Sequence, residues 1–314
     1  MKKILVTGAT GQIGSELTLF LRNLYGADNV IAASNRRLSD ETGPFYLLDV
    51  RNGDRIEHIV AERGCDTIFH LAALLSAVAE TQPQEAWDVN MNGLINVLET
   101  ARKHDCAVFF PSSIGAFGPG TPAIDTPQDT MQRPTTIYGI TKVSGELLCD
   151  YYHRRFGVDT RGLRYPGLIS SEAMPGGGST DYAVEIFYAA LTTRHYDCFL
   201  AADTQLDMMY MPDAIDAAIK LMNTDAGKLR HRNAFNVTAM SFTPAELADE
   251  IRKHIPDFTI GYSIDPVRQA IASSWPRHMN DSAARAEWDW QPRYDLAAMV
   301  RDMLEKIAVK LQKG

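Results

Sequence analysis

Tyr138 and Lys142 stand four residues apart in the stretch YGITK, a spacing that puts a phenol and an ammonium on one face of a helix. A free phenol, with a pKa of about 10, is a poor base near neutrality. A neighbouring ammonium favours the phenolate, so the two read as a proton-transfer pair, and Lys142 can also donate to a cofactor ribose. Ser112 and Ser113 follow the apolar run Ala107 to Phe110, which sets two hydroxyls at the end of a strand. A hydroxyl there can orient a substrate hydroxyl or carbonyl. A tyrosine and a lysine at this spacing are common on exposed helices. What gives these two weight is the segment that opens the chain.

That segment is Thr7-Gly8-Ala9-Thr10-Gly11-Gln12-Ile13-Gly14, between a strand pattern (Lys3 to Thr7) and a helical pattern (Gly11 to Tyr25). Gly8, Gly11 and Gly14 are spaced G-x-x-G-x-x-G. Such glycines permit a tight turn and let a pyrophosphate approach the N–H groups at a helix N-terminus, so this placement points to a bound dinucleotide. The end of the next strand selects the cofactor: a carboxylate binds the ribose hydroxyl of NAD, and an arginine admits the extra phosphate of NADP. Ser34, Asn35, Arg36 and Arg37 stand there without an acid, which leaves NAD and NADP both open and leans toward NADP more than such sites usually do. Asp49 and Val50, after a third strand, are placed to reach the adenine. Leu71, Ala72 and Ala73, after a fourth, are small where a cofactor must lie against backbone. Asn90 falls inside a helical pattern, where asparagine is a poor helix former and a buried tertiary role is the natural reading.

The elements that must position these groups alternate. Strand patterns at Lys3 to Thr7, Val30 to Ala33, Phe45 to Leu48, Thr67 to His70, Ala107 to Phe110 and Thr160 to Tyr165 are separated by helical ones, including Trp87 to Ala101 and Tyr138 to Phe156. This predicts an α/β fold of the Rossmann type, a doubly wound parallel sheet with a smaller C-terminal α/β lobe for substrate. Residues 1–165, with parts of 190–235, form the expected dinucleotide-binding domain, and 166–314 mainly the substrate-binding lobe. In the second half, Pro175 to Ser179 reads as a glycine-rich loop. Ala183 to Leu191 and Pro212 to Met222 read as helices, and Thr243 to Glu246 as a capping box with Pro at the first helical position.

The 314 residues carry 31 Lys and Arg against 39 Asp and Glu, a net charge of −8 with no basic block, which argues against nucleic acid as a partner. No apolar run reaches the ~18 residues of a membrane helix, and the apolar start of the chain is too short for a signal peptide. No membrane partner and a cytosolic location are therefore expected. Cys65, Cys106, Cys149 and Cys198 are widely spaced without a histidine cluster, so they read as reduced, mostly buried thiols and no metal site is expected. Bland readings go to the remaining candidates. His70 is expected as a satisfied core histidine, Asp213 as a helix cap, Tyr151, Tyr152 and Tyr188 as packing, and Arg230-His231-Arg232 as a solvated loop.

TGATGQIG, DVRN (Asp49 to Asn52), HLAA (His70 to Ala73), PSSIGAFG (Pro111 to Gly118), YGITK and RYPG (Arg164 to Gly167) resemble the extended short-chain dehydrogenase/reductase superfamily. Trp290-Gln291-Pro292 resembles its closing motif. Within the superfamily, Leu163 to Ser170 and Pro175 to Phe187 are similar to the epimerase-like, short-chain L-threonine 3-dehydrogenases. That resemblance implies metal-independent oxidation of the Cβ hydroxyl of L-threonine to L-2-amino-3-oxobutanoate, with hydride transfer to NAD⁺. It implies Tyr138 as base, Lys142 as the modulator of its pKa and Ser113 as the catalytic hydroxyl. Ser112, Tyr165 and Pro166 join the cofactor contacts, and Ser76, Ser179, Thr180 and Trp275 join Ser113 and Tyr138 around the substrate. It further implies a homodimer built on the helices at 87–101 and 138–156. Ser34 departs from the aspartate usual in this family. A nucleotide-sugar epimerase or dehydratase of the same superfamily is the alternative, but it needs cations for a diphosphate, and Ser170 to Tyr182 holds no Arg or Lys. A non-catalytic dinucleotide sensor is a third reading, weakened by the presence of both Tyr138 and Lys142.

Overall fold

The computed structural model describes residues 1–37, 42–173, 176 and 178–313; Pro175 and Gly177 of the expected glycine-rich loop lie outside them. Among the described residues the strands are β1 (Ile4–Thr7), β2 (Val30–Ser34), β3 (Phe45–Leu47), β4 (Thr67–His70), β5 (Ala107–Ser113), β6 (Thr160–Tyr165), β7 (Gly167–Ile169), β8 (His195–Cys198), β9 (Leu206–Tyr210), β10 (Phe235–Asn236), β11 (Met240–Phe242) and β12 (Thr259–Tyr262). The helices are α1 (Gln12–Tyr25), α2 (Gly53–Arg63), α3 (Ser76–Thr81), α4 (Pro83–Trp87), α5 (Gly93–His104), α6 (Ile137–Phe156), α7 (Tyr182–Thr192), α8 (Met211–Asn223), α9 (Pro244–Arg252), α10 (Pro266–Ser273), α11 (Ser282–Trp288) and α12 (Leu296–Lys313).

Seven strands form one parallel sheet in the order β10-β6-β5-β4-β1-β2-β3. Side chains alternate across it. Val6, Ala32, Phe69 and Phe109 enter one apolar layer, and Leu5, Ile31, Ile68 and Val108 the other. Burial on both faces is why these strands read as near-continuous apolar runs. The chain winds outward from β1 to β3, then returns to β4 on the other side of β1. Ligands of open α/β sheets bind at the carboxyl ends of the strands flanking such a switch. The fold is Rossmann-like and doubly wound.

The chain leaves this sheet at β7 and builds a second, smaller core. β7, β9 and β11 form a three-stranded sheet, β8 pairs with β12, and Ile186, Phe187, Leu247, Ile251 and Met303 pack together from α7, α9 and α12. Two excursions return to the large sheet: α8 packs Ala217 and Leu221 beside Leu17 and Leu21 of α1, and β10 extends the edge beside β6. Trp290 is fully buried in that same layer.

Two elements differ from the sequence expectation by more than one residue at a boundary. The single helix expected over Trp87 to Ala101 is α4, a π-helical turn at Asp88–Asn92, and then α5, which runs on to His104. The wider turn coincides with Asn90, whose side chain reaches out of the helix for another backbone. β5 does not stop at Phe110 but continues through Ser113, because Ser112 and Ser113 pair with Arg164 and Tyr165 of β6.

Candidate active site

At the switch point α1 begins without a side-chain cap on Gly11 and without an acid in its first turn, so its open N–H groups suit an anion. Gly8 has φ +68°, and a Cβ on it would lie 2.6 Å from the Ala72 nitrogen. A Cβ on Gly14 would lie 2.2 Å from the Gly8 carbonyl oxygen. The loop, the helix and the segment after β4 therefore meet backbone to backbone, which is the fit a dinucleotide cradle needs. Gly8, Gly11, Asn35, Val50, Ala72 and Ala73 line the outer cleft. Ser34 lies there too, but its hydroxyl meets Thr10 Oγ1 at 2.7 Å, and the Arg36 guanidinium donates to the Thr10 hydroxyl and carbonyl at 3.4 and 3.3 Å. Asp49 also lines the cleft; its carboxylate is bonded by Arg51 at 3.0 Å, which holds it below the usual carboxylate range.

Three predicted cofactor residues shape the cleft from behind. Thr7 Oγ1 meets His70 Nδ1 at 2.9 Å, and Gly14 sits where α1 touches its own loop. Burial, with the nearby Lys142 charge, pushes His70 down to about 3, so it stays a neutral core histidine. Asn90 accepts from the Leu74 N–H at 2.8 Å and donates to the Leu74 carbonyl and Thr141 Oγ1, each at 3.2 Å. It thereby ties the loop after β4 to the helix that carries Tyr138.

That helix, α6, is anchored at its start by Thr136, which accepts from Gly139 N–H at 3.1 Å, and by Glu80, which accepts from Ile137 N–H at 2.8 Å. Tyr138, Lys142, Ser112 and Ser113 all face the inner cleft, with Gln12 and Ile13 of α1 and Tyr165 and Pro166 after β6. The Ser113 hydroxyl and the Tyr138 phenol share this lining, and Ser113 Oγ accepts from the Gly115 N–H at 3.1 Å. Lys142 Nζ donates to the Pro111 carbonyl at 2.7 Å and lies 5.4 Å from the Tyr138 ring centroid. The expected lowering of the phenol pKa by Lys142 is not what this arrangement produces. Desolvation in the cleft raises Tyr138 above the ordinary phenol value, and the nearby Ser113 hydroxyl is the influence that opposes it. The ammonium is directed at a carbonyl and is itself pushed down by burial, to about 8.

The far wall is Ser76 at the start of α3, Ser179 and Thr180 before α7, and Trp275 after α10. Trp275 also packs against Ile114, Phe117 and Met279. Among the described residues lining this inner cleft, Lys142 is the only Lys or Arg. Two residues given no role in the sequence reading stand directly behind it. Glu146, one turn beyond Lys142, and Arg164 on β6 form a buried ion pair at 2.8 Å. Residues 138, 142 and 146 share one helix face, and that spacing was the available signal.

Three bland expectations are corrected. Asp213 does not cap α8; it is buried and accepts from the Arg293 and Tyr294 N–H groups at 3.1 and 3.0 Å, fastening the segment after Trp290. The Arg230–Arg232 cluster is not simply solvated: His231 and Arg232 pair with Glu287 and Asp159. Tyr151 packs its ring edge-on against Tyr152 and Phe156 but is 52% exposed on α6 rather than buried. The four cysteines are free and buried, as expected. Among the described residues no helix is long and apolar enough to cross a membrane.

The model of the NAD dependent epimerase/dehydratase family matches residues 4–238. An uncharacterized epimerase/dehydratase of Staphylococcus haemolyticus is 54% identical, with 99% of each chain covered. Among solved structures, L-threonine dehydrogenase from Clostridium difficile is 59% identical with a TM-score of 0.98, covering 99% of this chain and 98% of that one. A monomeric L-threonine 3-dehydrogenase from a metagenome is 45% identical with a TM-score of 0.94, covering 98% and 99%.

Proposed function

The chain belongs to the NAD dependent epimerase/dehydratase family, and from that premise we propose that it oxidises the Cβ hydroxyl of L-threonine to L-2-amino-3-oxobutanoate. The carrying observation is the inner cleft, where a phenol, a serine hydroxyl and an ammonium converge opposite Thr180 and Trp275, with Lys142 as the lone Lys or Arg among the described residues of the lining. A nucleotide sugar brings a diphosphate that such a lining leaves uncompensated, whereas an amino acid carboxylate can be held by the Thr180 hydroxyl and loop N–H groups. The similarity to solved L-threonine dehydrogenases supports the same reading.

Tyr138 removes the proton from the substrate hydroxyl, and Ser113, in the same cleft wall, orients that hydroxyl. Lys142 holds positive charge beside them and donates toward the cofactor ribose. Ser76, Ser179 and Thr180 contact the polar end of the substrate, and Trp275 covers it. When bound along the Gly8–Gly14 loop, NAD⁺ supplies the acceptor for the hydride leaving Cβ and a positive charge that favours the phenolate. NADP⁺ remains the competing cofactor, since Arg36 stands where a ribose phosphate would lie. Ile140, Leu147 and Tyr151 leave an exposed apolar stripe on α6 beside Ile95 of α5, and this face supports a homodimer in this protein.

The test is Tyr138→Phe with L-threonine as substrate. Removing a general base costs about 10²–10⁴-fold in kcat, while cofactor affinity should stay within a few-fold. A folded variant that turns over at the wild-type rate overturns the assignment.

A further inference from the structure

Behind the catalytic helix lies a polar network that the proposed chemistry does not use. Glu146 and Arg164 are 4% and 6% exposed, and Arg164 grips the carboxylate with two nitrogens, Nε to Oε1 at 3.0 Å and Nη2 to Oε2 at 2.8 Å. Ser112 donates to Glu146 Oε1, and Gln132 donates to Oε2 at 2.9 Å. Arg164 is held in turn by the Gln128 carbonyl at 2.8 Å and Asn236 Oδ1 at 3.1 Å, and stacks over Phe117. Every oxygen of the carboxylate is thus engaged, and one of its partners, Ser112, forms part of the cleft wall.

A buried ion pair is weak support for a purely stabilising role, because desolvating two charges offsets most of their attraction. Its location suggests another use. Lys142 is one turn away on the same face of α6. The groups that face its ammonium are few: Tyr138, Glu146 and Cys149 from α6, His70 from β4, the Phe110 ring and Pro111 carbonyl from β5, and beyond Glu146 the Arg164 of β6. Burial keeps His70 neutral and raises the Cys149 thiol far above its ordinary value, so neither brings charge near neutrality. Glu146 is the carboxylate in that set.

We propose that Glu146, clamped by Arg164, is a positioning residue of the active site: it fixes Ser112 and sets a buried negative charge one turn from Lys142 that keeps the ammonium charged at working pH. The proposal rests on the reading of Tyr138 and Lys142 as the proton-transfer pair. Burial favours a neutral lysine and Glu146 opposes it, so removing the carboxylate moves the Lys142 titration downward.

The experiment is the rate of amine labelling of Lys142 against pH, read by mass spectrometry on the intact folded protein, for wild type and Glu146→Gln. Glu146→Gln should move the labelling midpoint down by about one pH unit or more. The alkaline limb of threonine turnover should move with it. Because Glu146→Gln leaves Arg164 buried without its counter-charge, Glu146→Gln/Arg164→Met is measured alongside; it removes both charges and should also move the midpoint downward. An unmoved midpoint in a folded variant overturns the proposal, even if activity falls at all pH values, since that is the signature of a structural clamp. The labelling needs no turnover, so it reports on Glu146 even if threonine is not the substrate.

Discussion

Gly8→Ala separates two costs that the structure makes readable. The first is conformational: at φ +68° a side chain adds about 1–2 kcal/mol. The second is steric. The new Cβ would lie 2.6 Å from Ala72 N, 2.7 Å from Leu71 C and 2.8 Å from Ala72 Cα, all backbone atoms, where ordinary contact starts at 3.4 Å. No flexible side chain can move aside, so the loop must retreat from the segment after β4, an overpacking cost of about 1–3 kcal/mol. Both segments line the cleft proposed for the dinucleotide, so on that proposal this second cost is felt in binding. If only about 1.4 kcal/mol of it reaches the binding step, the dissociation constant for the dinucleotide rises about tenfold. Gly157→Ala is the control, because Gly157 has φ +74° with nothing within 4 Å of a new Cβ. It should lower the melting temperature by the conformational cost alone and leave binding unchanged. Calorimetric titration with NAD⁺ and a thermal melt on both variants decide the matter. Wild-type affinity in Gly8→Ala, or equal losses of affinity in the two, would refute the reasoning.

Two further outcomes follow from the same geometry. Ser34→Asp places a carboxylate beside the expected ribose position and should shift the ratio of kcat/KM toward NAD⁺ over NADP⁺ by about tenfold or more, because the extra phosphate then meets a like charge. Arg36→Ala should shift it the same way, and an unmoved ratio in both would sink this account of cofactor choice. Leu147, 63% exposed at the centre of the α6 stripe, is the position at which to test self-association. Leu147→Glu should convert a dimeric mass by light scattering into a monomeric one with the melting temperature nearly unchanged, whereas a monomeric wild type would end the dimer proposal.

The parallel sheet was legible because each of its central strands is buried on both faces and so appears as an apolar run, punctuated by helical spacing. The Gly8–Gly14 loop and the Tyr138–Lys142 pair were legible for the same local reason: the motif and the element that carries it are contiguous. What escaped was long-range. β8 and β12 are 4 residues each, lie about 60 residues apart in the chain and make sense only once paired. Asp213 looks like a helix cap in sequence, and only the return of Arg293 and Tyr294 from 80 residues further on reveals its partners. The π turn at Asn90 and the clamp between Glu146 and Arg164 likewise depend on contacts between elements that no local window contains. The phenol's pKa shows the same limit. Spacing correctly put an ammonium near Tyr138, but the desolvation of the half-buried phenol, which governs the direction of the shift, belongs to the folded chain.

The most direct test of the central claim is to mix the purified protein with L-threonine and NAD⁺ or NADP⁺ and follow reduced nicotinamide by its near-ultraviolet absorbance. The account predicts a rise that requires L-threonine, is absent with L-serine or D-threonine, and disappears in Tyr138→Phe. No rise with either cofactor from folded protein would contradict it.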